Sequence, residues 1–364
     1  MQTEVLGRGS GEPSGPTGRL GHHRARDGSR GAPVDVDLDR PHATLVVGKR
    51  GYGKSYTLGV LAEAAARADG VAPVVIDPMG VFRGLAADCD AVPARVVAEP
   101  TVRADAVPPR RWPALVGSEP DSPVGALVWH AAAESETGTL AGMRAVVEGA
   151  DATSAVERAA TNRLRRAAGW GVFDPDGLDA RELGGSEATV LDCSGLDDAA
   201  SNAVVAGVAA ALYAGRARAS DPTTGGSGPI ERLPWLFVDE AHVFFEGVAC
   251  GPLRAILTRG RAPGVSLVTA TQRPSALPDV AVSQSDLRIV HRLTAGPDVR
   301  ALAAAEPAYV DRAVTEAMPT APGEALVVDD TAESVRTVAV RERDTPHGGD
   351  SPRASAVDAS PATS

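Results

Sequence analysis

The chain has 364 residues, 43% of them hydrophobic, with three cysteines and a formal net charge of −11 from 36 basic and 47 acidic residues. That composition supports a sizeable core, offers no bulk electrostatic attraction to nucleic acid, and, with Cys89, Cys193 and Cys250 widely separated, suggests neither a disulfide framework nor a zinc site. No stretch approaches about 20 uninterrupted apolar residues and the polar N-terminus lacks a signal-peptide core, so a cytoplasmic protein without a membrane partner is expected.

Residues 1–32 are rich in Gly, Arg, Ser and Pro without an apolar period and are expected to be disordered, their arginines Arg19, Arg24, Arg26 and Arg30 solvated. One large α/β domain with a mostly parallel central sheet is expected over 33–345, and a disordered tail over 346–364.

The first informative stretch is Gly48-Lys49-Arg50-Gly51-Tyr52-Gly53-Lys54-Ser55, which fits G-x-x-x-x-G-K-[ST]. The apolar run Leu45-Val46-Val47 precedes it and a helix-forming run, Leu58 to Ala66, follows, so strand, loop and helix occur in the required order. Backbone N–H groups of such a loop, together with the helix N-terminus, cradle phosphates. Lys54 would place a point charge at the β- and γ-phosphates, Ser55 would take one position on Mg²⁺, and Tyr56 begins the helix beside the nucleotide. Lys49 and Lys54 are the only lysines in the chain, every other basic residue of the Lys plus Arg set being arginine. A compact ammonium survives where a planar guanidinium would not fit.

Further along, Pro73-Val74-Val75-Ile76 reads as a buried strand ending at Asp77, which could lie near the nucleotide or simply form a turn before Pro78. Ala94 to Ala98 is a weaker strand. From about 108 to 181 strand signals give way to a helical insertion, with segments at 121–133, 138–147 and 154–168. In the last, Arg163 and Arg166 share a face, solvated by default. The strand rhythm returns with Ala188 to Leu191, followed by a helix marked by Val204, Val208 and Leu212 and a polar loop from Ser220 to Gly228.

The second informative stretch is Leu233 to Val238 running into Asp239-Glu240-Ala241-His242. An apolar strand delivering two carboxylates at its carboxyl end has the Walker B arrangement: Asp239 to hold Mg²⁺, Glu240 to polarise the attacking water. His242 beside them reads as a partly buried structural histidine. Val265 to Thr269 is another strand, and Gln272 at its end is placed to contact the γ-phosphate or the water. Leu287 to Val290 and Glu324 to Val328 add two strands.

Taken together, the P-loop, Val75-Ile76-Asp77-Pro78, Thr189 to Leu196, Phe237 to His242 and Gly260-Arg261 followed by Thr271-Gln272-Arg273-Pro274 resemble the HerA/FtsK superfamily, specifically archaeal HerA-like ATPases. The stretch Pro346-His347-Gly348-Gly349 also looks like the end of such proteins. The resemblance implies a RecA-like core that binds ATP and Mg²⁺ between the subunits of a homo-hexamer and moves duplex DNA through its lumen. It places an arginine finger, supplied by the neighbouring subunit, at Arg261 or Arg259. A nuclease partner of the NurA type goes with the family, but the β-barrel domain that helps engage it is replaced here by the segment expected to be disordered. Two other readings stay open: a conjugation- or secretion-type ATPase with another cargo, and a nucleotide-dependent switch that pumps nothing.

Overall fold

Leu45 and Val47 face the core on one side of a sheet while Val46 faces the core on the other. A strand covered on both faces reads as an unbroken apolar run, which is what made the central strands visible in the sequence. The computed structural model describes residues 3–9, 11–25, 28–87, 91–220, 230–309 and 314–349. Cys89, Arg26, most of the polar loop at 220–228 and the tail beyond 349 lie outside them.

The strands are β1 (Glu4–Leu6), β2 (Thr17–Arg24), β3 (Arg30–Asp37), β4 (Ala43–Val47), β5 (Val71–Asp77), β6 (Ala94–Val97), β7 (Ala188–Asp192), β8 (Leu233–Val238), β9 (Ser266–Thr271), β10 (Leu287–Val290), β11 (Glu324–Asp329) and β12 (Ser334–Val340). They form one 12-stranded sheet in the order β1-β3-β2-β12-β11-β10-β4-β9-β8-β5-β7-β6. From β10 to β6 every neighbour is parallel. From β10 back to β3 the pairs are antiparallel. Helix α1, Lys54–Ala66, follows β4 directly, so its N-terminus stands at the carboxyl edge of the parallel strands.

The described residues of the N-terminal segment are ordered, contrary to the expectation of disorder over 1–32. It supplies β1 and β2 and the start of β3, which add to the sheet beyond β12. Its low apolar content has a packing cause. A Cβ on Gly21 would lie 2.0 Å from the Ala339 carbonyl oxygen, so the ladder between β2 and β12 requires glycine where composition suggests flexibility. Arg19 pairs with Asp35, Arg24 with Glu324 at 2.9 Å, and Arg30 contacts His22 at 2.9 Å, so these arginines are bound within the fold.

Between β6 and β7 lie helices at Pro123–Glu134, Leu140–Glu148 and Ser154–Ala168, each capped at its N-terminus by a hydroxyl, Ser122, Thr139 or Thr153. The chain leaves and re-enters the main body at one neck, where Val102 N–H donates to Val172 at 2.8 Å. Leu127, Val128, Met143, Val147 and Leu164 join the core that also holds Val204, Val208 and Leu212 of the helix Asp198–Ser220. Arg163 and Arg166 both donate to the Val116 carbonyl, at 2.7 and 2.8 Å, and so hold the end of the turn Trp112–Leu115.

At the amino end of β4, His42 is buried between Asp286, 2.9 Å from Nδ1, and Asp37, 3.6 Å from Nε2. Arg8 and Arg40 face Asp37 from the other side. The two carboxylates outweigh burial and hold the imidazole up at about 9. A histidine whose folded value exceeds its unfolded value stabilises fully below about 6.5, and that stability is lost as pH rises through about 9. Unfolding free energy should therefore fall by about 3 kcal/mol between pH 6 and pH 10. Denaturant titrations across that range would show it, and His42→Gln should flatten the slope.

Candidate nucleotide site

The P-loop leaves β4 under close control from β10. His291 N–H donates to the Val47 carbonyl at 2.8 Å, and Lys49 N–H donates to the Arg292 carbonyl at 2.7 Å, extending the strand pairing into the loop. Gly51 and Gly53 then turn with φ of 79° and 108°, conformations that glycine adopts without strain. Arg50 and Gly51 are exposed at the loop tip, and the Lys49 ammonium lies 4.3 Å from the Tyr52 ring centroid.

The Lys54 side chain is almost wholly buried. Its Nζ sits 3.4 Å from the Lys49 carbonyl, and burial lowers its pKa against the opposing pull of Glu240 and Asp239. Ser55 lies beside the Asp239 carboxylate and works to lower its pKa. Tyr56 points away from the carboxylates; its hydroxyl accepts from Arg343 N–H at 2.7 Å and its ring meets His347 edge-on at 5.3 Å.

At the end of β8, Asp239 is 1% exposed, and burial with the neighbouring Glu240 charge pushes its pKa up to about 6. One of its oxygens, Oδ2, has no hydrogen-bond partner. Glu240 adopts φ 46°, a strained region for a non-glycine residue, stabilised by its own N–H on Asp239 Oδ1 at 2.9 Å. Gln272 Nε2, from the end of β9, donates to Glu240 Oε1 at 3.2 Å. His242 Nδ1 lies 3.5 Å from the other Glu240 oxygen and 3.1 Å from the Thr271 hydroxyl. Burial and the Arg273 charge keep that imidazole below its ordinary value, so it meets Glu240 as a neutral ring.

One cleft of about 810 Å³ is lined by Arg50, Lys54, Ser55, Glu240 and Gln272. Its far wall comes from Tyr56, Gly323, Val340, His347 and Gly349. His347 and Gly349, expected to lie in a disordered tail, thus line the cleft. They are held because the segment from Arg341 to Thr345 binds Glu63, a fully buried carboxylate on α1. Glu63 accepts from Thr345 N–H at 3.0 Å and from Arg341 at 2.8 Å, with Arg343 alongside at 3.3 Å.

Asp77 does not face the cleft. It accepts backbone N–H bonds from Met79, Val81 and Phe82, at 3.3, 3.0 and 2.8 Å, and is the turn former of the two readings. Arg259 and Arg261 are exposed and absent from the cleft lining. Arg261 instead borders pockets shared with His42 and Asp286, at the amino ends of β4 and β9. A strand the length of β9 separates that edge from the P-loop by roughly 17 Å. The sequence reading passed over His291, which carries no spacing signal of its own, and quoted Arg273 and His347 only within family-like stretches, without giving either a role.

This is the RecA-like P-loop ATPase fold, with the phosphate loop and the acidic strand end side by side on a mostly parallel sheet. The chain is similar over 91% of its length to VirB4 of Thermoanaerobacter pseudethanolicus, covering 98% of that chain at 19% identity with a TM-score of 0.67. It also resembles the bacterial conjugative coupling protein TrwBdeltaN70, over 84% of this chain and 87% of that one, at 15% identity and a TM-score of 0.54. No protein family and no curated protein matches the chain by sequence. Among the described residues no helix is long and apolar enough to cross a membrane.

Proposed function

We propose that this chain is an ATP-hydrolysing P-loop motor of the HerA/FtsK type, resembling the archaeal HerA-like ATPases, that moves duplex DNA as a homo-hexamer. The observation that carries the reading is the convergence of Lys54, Ser55, Glu240 and Gln272 on one cleft from the ends of β4, β8 and β9, with Asp239 buried next to Glu240. A triphosphate laid in the loop would draw Lys54 from the Lys49 carbonyl to its phosphates. Glu240 would take a proton from the attacking water, and Gln272, already on the Glu240 carboxylate, would report its state.

The orphaned Asp239 Oδ2 beside the Ser55 hydroxyl fits a divalent cation. Among the described residues no group of three His, Cys, Asp or Glu side chains could hold a metal by itself, so Ser55 and Asp239 would share Mg²⁺ with phosphate and water. When bound, the cation neutralises phosphate charge. The net charge of −11 gives no bulk attraction to DNA, so a DNA contact would need a locally basic lumen under an acidic exterior.

Steady-state ATP hydrolysis with and without linear duplex DNA, across a salt series, tests this, with Lys54→Ala as the blank. Lys54→Ala should lose at least about a hundredfold in rate. Marked DNA stimulation supports the translocase. The likeness in fold to VirB4 and to a conjugative coupling protein favours a second reading, a conjugation- or secretion-type motor. Hydrolysis indifferent to DNA at every salt would turn the reading to a motor directed at a protein cargo or to a nucleotide-dependent switch.

A further inference from the structure

His291 lies just past the end of β10 with no exposed surface, directly beneath the P-loop. A Cβ on Gly48 would fall 2.6 Å from the His291 Cβ, and one on Gly53 would fall 3.4 Å from its Cε1, so the ring is the floor on which the loop rests. Its Nδ1 is 2.9 Å from the Glu324 carbonyl oxygen. A carbonyl only accepts, so Nδ1 carries the hydrogen and Nε2 of the neutral ring is an acceptor. That acceptor faces the Thr57 hydroxyl at 2.9 Å. Burial, with the Lys54 charge of the same sign nearby, pushes the imidazole down to about 4 and keeps it in the form this bonding needs.

Thr57 stands in the first turn of α1, three residues after Lys54 and two after Ser55, and its N–H donates to Gly53 at 2.8 Å. The ring therefore joins four parts at one point: the end of β10, the start of β11 at Glu324, the entry of the P-loop and the first turn of its helix. It does not line the cleft, so it acts through others.

We propose that His291 is a positioning residue for phosphate binding: through Thr57 it sets the first turn of α1, and with it Lys54 and Ser55, at the height above the sheet that a triphosphate and its cation require. The role rests on the nucleotide-binding reading of the cleft. It differs from general core packing because it runs through one hydrogen bond, from the Thr57 hydroxyl to His291 Nε2, which a near-isosteric substitution can remove.

The test is the affinity of the full chain for the magnesium complex of a non-hydrolysable ATP analogue, with KM, kcat and thermal midpoint measured alongside. Thr57→Val removes the hydroxyl and keeps the shape; Thr57→Ser restores it. Thr57→Val should weaken binding about tenfold and raise KM more than it lowers kcat, while Thr57→Ser stays within about twofold of the parent. His291→Asn, which keeps a donor for Glu324, should show the same loss, and the double variant should be no worse than either single one. Thr57 itself borders the cleft, so its variants are decisive only beside a His291 variant; if His291→Asn does not fold, His291→Phe, which fills the space of the ring without its nitrogens, replaces it and should show the same loss. Parent-like affinity in Thr57→Val, or losses that simply add in the double variant, would overturn the positioning role while leaving the nucleotide site standing. A parent protein that binds no ATP analogue would overturn both.

Discussion

Glu240→Gln is expected to bind MgATP about as tightly as the parent and to turn it over roughly a thousandfold more slowly, a rise of about 4 kcal/mol in the barrier. The amide matches the carboxylate in size, and the backbone N–H on Asp239 that stabilises the φ 46° turn is untouched, so the cleft should keep its shape. What disappears is the ability to accept a proton. Glu240 is suited to that task by its setting: one oxygen held by Gln272, the other buried with no hydrogen-bond partner near a neutral His242. Binding isotherms and single-turnover rates separate the two effects. Normal turnover in the variant would remove Glu240 from the chemistry, whereas lost binding would make it part of the phosphate cradle.

Arg261→Ala should leave ATP affinity nearly intact and cut the hydrolysis rate by about 10³ to 10⁵. The cause is geometric. Arg261 lies at the amino ends of β4 and β9, beside His42 and Asp286, and the P-loop lies at their carboxyl ends. No rotamer spans a strand, so its charge can reach a terminal phosphate only on a neighbouring subunit. Mixing makes this measurable. Arg261→Ala supplies intact P-loops and Lys54→Ala supplies intact arginines, so the mixture should regain activity that neither has alone. No recovery would exclude a finger in trans at this position, and the same loss in Arg259→Ala with a normal Arg261→Ala would move the role two residues back.

The elements legible in the sequence are those whose local chemistry and burial agree. The runs Leu45 to Val47, Val74 to Ile76 and Leu233 to Val238 are strands covered on both faces, and their apolar continuity states as much. The P-loop and Asp239-Glu240 were readable because polyphosphate chemistry fixes both residue types and spacing. The edge of the sheet was hidden for the opposite reason. β2 buries one large side chain, Leu20, and meets its neighbours through glycine and paired charges, a composition that also describes a loose tail. β12 went unread because its Arg336 and Thr337 face partly outward and interrupt the apolar pattern. His291 meets Thr57 and Glu324, and His347 meets Tyr56, across long stretches of sequence, and no local pattern announces such a contact.

The tie between Glu63 and the segment around Thr345 spans 282 positions of sequence. On a ribosome, α1 is made early, after β2 and β4 and before β5 and β9, but the partners of its buried carboxylate are among the last described residues to be made. Until then Glu63 must stay hydrated, because an unpaired carboxylate in a core costs several kcal/mol. The helix that carries Lys54 and Ser55 can therefore seat fully only after synthesis has passed residue 345, so the phosphate loop is encoded early and its support is completed late.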